Sequence, residues 1–506
     1  GHFALLNSVH FKRQGIKQAI ISYLGVLIGL ASTLWIYSLD EYIYGVARFL
    51  LSGASFIGAF AFLGVNTWVI RFFPYFKNDE NKHNGFLPLV LVASTAAFAL
   101  FILFVWFFQE PLLSVLGFLD MKPELYDSNF LYIAILCFLL TFSIVFSSYI
   151  SNFQRIVVPE LLNNLWIKIS LPILILAYCF GYLYEKGFIY GFLVVHAFVL
   201  LGLILYTIYL KQWSLRLQFS FLKKDLIKDM GNYAFYNILG DIGSQLATRL
   251  DLLMIASLMP SLSSVGVYGI ALNIASVVEI PYRSFSKIAS PIIAQENTAN
   301  NPSIVLDLYQ RSSIALLVAG LLIFLCVWVS VDSLFLLAGK SEALTAGKNV
   351  ILLIGVAKII DMATGINGQI IAYSKHYRVN VVAISILAII NIFANYYFIP
   401  IYGVTGAAIA TLISLGTFNV FKFFYVWIVF KMQPFTWSAA IVLLLSASCF
   451  GVVSLIPLTN FPLLDIVIKS GALGLLFSAG IIYFKVSSDI SKLFFDFLEK
   501  IKNLRR

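Results

Sequence analysis

The chain has 506 residues, 60% of them hydrophobic and only 11% charged, with a formal net charge of +10. A mean hydropathy of +0.92 excludes a soluble globule. Apolar segments long enough to cross a bilayer, roughly 20 residues each, recur about fourteen times between residues 16 and 485. The expected fold is all-α: a polytopic membrane protein of about 14 transmembrane helices.

In chain order the predicted spans are about 16–37, 43–67, 86–108, 129–150, 159–181 and 187–210, then 232–258, 265–292, 312–331, 349–373, 378–399 and 403–430, and last 436–457 and 464–484. Lys12, Arg13, Arg71, Lys82, Arg155, Lys211, Lys223, Lys224, Arg311, Arg378 and the basic tail after Lys485 fall on one side of this array. The other side holds few lysines beside Asp40, Glu41, Glu110, Asp120 and Asp127. Lys/Arg bias orients spans, so both termini are expected in the cytoplasm. The positive charge is then a cytoplasmic rim, and no nucleic-acid partner is expected. The opening Gly1-His2 reads as a processing remnant, and no cleavable signal peptide is expected.

Enzyme chemistry has little room. No loop exceeds about 20 residues, and the chain contains no Walker A lysine loop, GxSxG or HExxH. Cys137, Cys179, Cys326 and Cys449 lie in apolar segments without CxxC or Cys/His spacing, so neither disulfides nor a metal site are expected. These features point to a transporter without catalytic residues or cofactor.

Tyr44-Gly45-Val46-Ala47 opens the second span and Tyr268-Gly269-Ile270-Ala271 the eighth, six helices later. An even offset gives two halves of like orientation, a parallel repeat. The expected lobes are 10–210 (spans 1–6) and 231–431 (spans 7–12), joined by a cytoplasmic linker at 211–230. Residues 432–506 supply the last two spans and a basic tail.

Three stretches carry a resemblance to a known family. DLLMIASLMPSLSSVGVYGIA at 251–271 is similar to the Asp-aliphatic-loop-Gly-x-Tyr pattern of polysaccharide repeat-unit flippases. NIFANYYFIPIYGVTGAAIAT at 391–411 looks like their Asn-rich helix, Ile-Pro turn and Gly-Ala-Ala-x-Ala-Thr helix start, and 43–73, with Gly64 and Arg71-Phe72-Phe73, resembles their second helix. These flippases form part of the MOP exporter superfamily with lipid II flippases and MATE exporters. The resemblance implies movement of an undecaprenyl-pyrophosphate-linked oligosaccharide from the inner to the outer leaflet of a bacterial inner membrane, as in O-antigen or exopolysaccharide synthesis. It further implies alternating access of two lobes around a cationic cavity, coupled to an H⁺ or Na⁺ gradient. Membrane lipids and a glycan polymerase or other envelope-assembly protein are the implied partners, around a monomer.

Ionisable residues at membrane depth are costly and usually functional. Glu279, Arg283 and Lys287 share one helical face at i, i+4, i+8, and Asn237, Asp241, Gln245 and Arg249 repeat the spacing on the preceding span. Lys358 and Asp361 lie mid-span in the tenth, and Lys422 in the twelfth. Arg13, Arg48, Arg249, Arg283, Lys287 and Lys358 are the candidates for holding a pyrophosphate; Glu279, Asp361 and Asp251 are those for ion coupling. The competing structural reading makes Glu279–Arg283, Arg249–Asp251 and Lys358–Asp361 neutralising pairs. Alternative functions are a MATE-like exporter of amphipathic cations, which calls for an acidic, aromatic cavity, a lipid II flippase, or a membrane-embedded enzyme or scaffold.

Overall fold

A computed structural model describes residue 21 and residues 24–486, apart from short gaps at 63, 66–67, 79–81, 119–121, 154, 218–222, 299–300, 338, 340–341, 377, 458 and 460. Among the described residues every regular element is helical. Eleven helices among the described residues are long and apolar enough to cross a membrane. The protein is an all-α, multi-pass membrane protein.

The first compact unit ends at Gly266 and the second begins at Val267, whereas the expected lobes were divided at 211–230. In the first unit α1 (Leu24–Leu39) is the shorter apolar helix. It leads into α2 (Glu41–Ala61), whose start is fixed chemically: the Asp40 side chain accepts the Ile43 N–H at 2.9 Å, occupying a donor that has no partner inside the helix. Then follow α3 (Phe86–Phe107), α4 (Pro123–Ser151), α5 (Val157–Cys179) and α6 (Glu185–Tyr209). The long α7 (Lys224–Leu258) packs along α2. Its polar residues keep it out of the eleven, although its 35 residues are more than a bilayer requires.

The second unit opens with most of α8 (Ser263–Ser276), which tightens into a 3₁₀ turn at Val277–Glu279 before α9 (Ile280–Thr298). Next come α10 (Pro302–Leu337) and α11 (Glu342–Ala363). α11 stops inside the unit at a Thr364–Ile366 turn, where Gly365 adopts φ +63°, and the chain resumes as α12 (Asn367–Ala372). α13 (Arg378–Tyr402) and α14 (Val404–Phe430) form the most closely packed pair. At Gly406 a Cβ would overlap the Phe398 carbonyl, and Ala407, Ala408 and Ala410 are fully buried; lipid offers no hydrophobic drive for helices to associate, so small residues and close backbones supply it. α15 (Trp437–Ser454) and α16 (Pro462–Tyr483) close a core on α10 through Leu317, Phe324, Val442, Leu473 and Phe477.

The two stretches most similar to the flippase pattern meet within this unit. Tyr268 on α8 is fully buried, and its hydroxyl lies 3.4 Å from Thr411 Oγ1 on α14.

Candidate functional site

In the first unit the packing of α7 along α2 brings together two cations from residues about 200 apart in sequence. Arg249 is close enough to Arg48 for their positive charges to repel. Arg48 lies over the Tyr44 ring, 6.0 Å from its centroid, and its buried Nε has no hydrogen-bond partner. No carboxylate pairs with either arginine among the described residues. Gln245, one turn before Arg249, has a buried, unpartnered Oε1. The expected Arg249–Asp251 pair is therefore not formed; Asp251 makes interactions of its own. Two like charges near one another without a counter-ion are electrostatically unfavourable.

The second unit arranges its charges differently. Glu279, at the end of the 3₁₀ turn, takes two cations: Lys358 Nζ at 2.6 Å and Arg283 Nε at 3.4 Å. Asp361 lies 4.0 Å from Lys422 Nζ on α14. The expected Lys358–Asp361 pair is thus replaced by two pairs that tie α11 to the 3₁₀ turn and to α14. Glu279–Arg283 is formed as the i, i+4 spacing predicts, but Arg283 keeps 65% of its side chain exposed against 16% for Glu279. Nearby, Gln369 donates to Ser286 Oγ at 2.5 Å and faces the Tyr282 hydroxyl at 3.4 Å, while Thr364 donates to Asn419 at 3.2 Å. Asn367, at the start of α12, is buried with neither amide atom partnered.

Arg13 lies outside the described residues, as do the side chains of Lys287, Asn237 and Asp241. His196 is a bundle residue: buried, with Nδ1 2.8 Å from the Phe192 carbonyl. Lys422 took no place among the candidate sites; its signal was a lone lysine in an otherwise apolar span.

The fold is similar to those of solved MOP-superfamily transporters. The chain resembles the lipid II flippase MurJ in its inward closed conformation with a TM-score of 0.69 at 15% identity, covering 93% of this chain and 98% of that one. A multidrug-resistance MATE transporter of the MOP superfamily matches with a TM-score of 0.58 at 13% identity, over 81% and 96% of the two chains. A MOP-superfamily transporter from Pyrococcus furiosus, described as having a binding pocket of reversed polarity, matches at 0.52 and 14% identity, over 82% and 94%. Residues 17–297 match the polysaccharide biosynthesis protein family, and residues 238–397 the MatE family. The chain belongs to the polysaccharide biosynthesis protein family. A probable low-salt glycan biosynthesis flippase, Agl15 of Haloferax volcanii, is 23% identical over 268 residues, 52% of this chain and 56% of that protein, so the match spans little more than half of the relative's length.

Proposed function

We propose that the protein is a flippase, not an enzyme, that carries an undecaprenyl-pyrophosphate-linked oligosaccharide from the inner to the outer leaflet by alternating access. The observation that carries this reading is the Arg48–Arg249 pair: two guanidinium groups at membrane depth with no carboxylate among the described residues. Arginine's planar fork matches phosphate oxygens in a bidentate way, and a diphosphate presents two such groups together. Glu279, Asp361 and Asp251 remain the candidates for coupling the movement to an H⁺ or Na⁺ gradient. The protein would act in the cytoplasmic membrane with both termini inside, as a monomer passing glycan to a polymerase or another envelope-assembly protein. The uncompensated charge is positive, which favours an anionic cargo over the cationic cargo of a MATE-like exporter.

Transbilayer movement of a labelled prenyl-diphospho-oligosaccharide in reconstituted vesicles tests this. Losing one charge-assisted contact of about 1.5–3 kcal/mol predicts a fall of roughly 10- to 100-fold for Arg48→Gln or Arg249→Gln, with partial recovery in Arg48→Lys. Full flipping by the double variant, or wild-type vesicles that move organic cations and not the lipid-linked glycan, would overturn the proposal.

A further inference from the structure

Lys82, His83, Asn84 and Gly85, immediately before α3, all take left-handed backbone angles, with φ of 48°, 53°, 50° and 72°. Together they make one turn of the hand opposite to a normal helix. Glycine accepts this conformation and asparagine tolerates it, but at Lys82 and His83 it crowds Cβ against a carbonyl oxygen. Such residues stay left-handed only where their surroundings hold them there.

The hold has a local part and a tertiary part. Locally, the His83 N–H donates to the Asn78 carbonyl at 2.7 Å, the Asn78 N–H donates to His83 Nδ1 at 3.3 Å, and Asn84 Nδ2 donates to the Phe76 carbonyl at 3.1 Å. With Nδ1 accepting, the ring proton stands on Nε2 and is donated to Gln212 Oε1 at 2.8 Å. Lys82 Nζ donates to the Lys211 carbonyl at 2.9 Å. Lys211 and Gln212 directly follow α6 and close it, through the Lys211 N–H to Ile208 and the Gln212 N–H to Thr207. The imidazole is buried between the rings of Phe73 and Phe153, at 5.1 and 5.3 Å. The strained turn therefore fastens the start of α3 to the end of α6. A little upstream the same segment holds α7: the Trp68 indole N–H donates to the Met230 carbonyl at 2.9 Å, and Arg71 lies over the Tyr233 ring, 5.8 Å from its centroid. Residues 68–85 thus grip the end of α6 and the start of α7, both within the first unit.

We propose that the Lys82–Gly85 turn is a strained latch between these two helices. Docked on Lys211 and Gln212, it ties the end of α6 to the segment that holds α7; released, it relaxes out of the left-handed form and uncouples the two. A left-handed non-glycine residue costs about as much as one hydrogen bond between protein groups contributes, so three of them nearly offset the two bonds to Lys211 and Gln212. That near balance is what lets the latch open. Its release during transport rests on the flippase reading above; its existence as a latch does not.

Hydrogen exchange of the full chain in nanodiscs, read in peptides covering 76–86 and 207–213, tests the latch without any cargo. Gln212→Ala is expected to speed exchange roughly 5- to 10-fold in both peptides, the loss of about one hydrogen bond. Lys82→Gly and Lys82→Ala both remove the ammonium, but only glycine relieves the left-handed strain, so the glycine variant should exchange more slowly than the alanine variant. The reverse order, or a Gln212→Ala effect confined to 207–213, would overturn the latch. Release is read in vesicles by joining His83→Cys to Gln212→Cys with a short, reducible bis-methanethiosulfonate: flipping of a labelled lipid-linked glycan should fall at least about 10-fold and return with reductant. Should this pair be inactive before cross-linking, Lys82→Cys/Gln212→Cys leaves His83 in place and gives the same test. Undiminished flipping by the cross-linked protein would overturn release and leave the flippase reading intact, whereas no flipping by wild type would overturn that reading itself.

Discussion

At Gly45 a Cβ would overlap the Leu262 carbonyl, and at Gly266 a Cβ would overlap the Glu41 carbonyl. The first turns of α2 and α8 therefore cross backbone to backbone, each glycine against the chain four residues before the other. This reciprocal contact pairs Gly45 with Gly266, not with the Gly269 that the repeated Tyr-Gly string matches to it, a difference of three residues (269 − 266). Sterics set the register, and the string similarity does not. Gly45→Ala should lower stability by about 1–3 kcal/mol, as overpacking of a tight contact does. Gly266→Ala should do the same, and the double variant should cost less than the sum because one separation of the helices relieves both clashes. Thermal unfolding in detergent reads all three; strict additivity would mean that the helices do not cross here. Asp40→Ala, which removes the cap on α2, should cost about 1 kcal/mol in the same assay.

At the scale of elements, the 3₁₀ turn between α8 and α9 has a local cause. Pro281 has no N–H to return to the Val277 carbonyl, and its ring crowds that carbonyl, so the helix tightens into a 3₁₀ turn over Val277–Glu279. The turn presents Glu279 to Lys358 on α11. Glu279→Gln should destabilise the unit by about 1–3 kcal/mol by leaving a half-buried ammonium without its counter-ion. Glu279→Gln/Lys358→Gln should recover part of that loss. Equal losses in the single and double variants would show that the pair contributes nothing. Pro281→Ala should restore α-helical geometry over Val277–Glu279, and the disulfide yield of a Glu279→Cys/Lys358→Cys protein should then fall; an undiminished yield would assign the turn to packing and not to the proline.

At the scale of the whole molecule, the Lys/Arg asymmetry predicts that cysteine labelling reaches the 109–128 segment from outside and the 211–230 segment from inside; labelling of both from one side would sink the topology. Most spans were legible in the sequence because hydropathy is a local sum: a run of about 20 apolar residues must lie in lipid whatever its neighbours do. Legible for the same reason were the small-residue start of α14 and the i, i+4 pairing of Glu279 with Arg283, which a single helix enforces. Charge partners across helices were not. Lys358 and Asp361, three residues apart on α11, read as a pair, yet each finds its counter-ion on a different neighbour, because side-chain ion pairing is decided by which helix packs against which face. Packing likewise set Arg48 beside Arg249. The sequence by itself determined a membrane protein of many helices with charges at bilayer depth; only the tertiary structure decided which of those charges find a counter-ion and which find none among the described residues, since that depends on distances of a few ångströms between segments far apart in the chain.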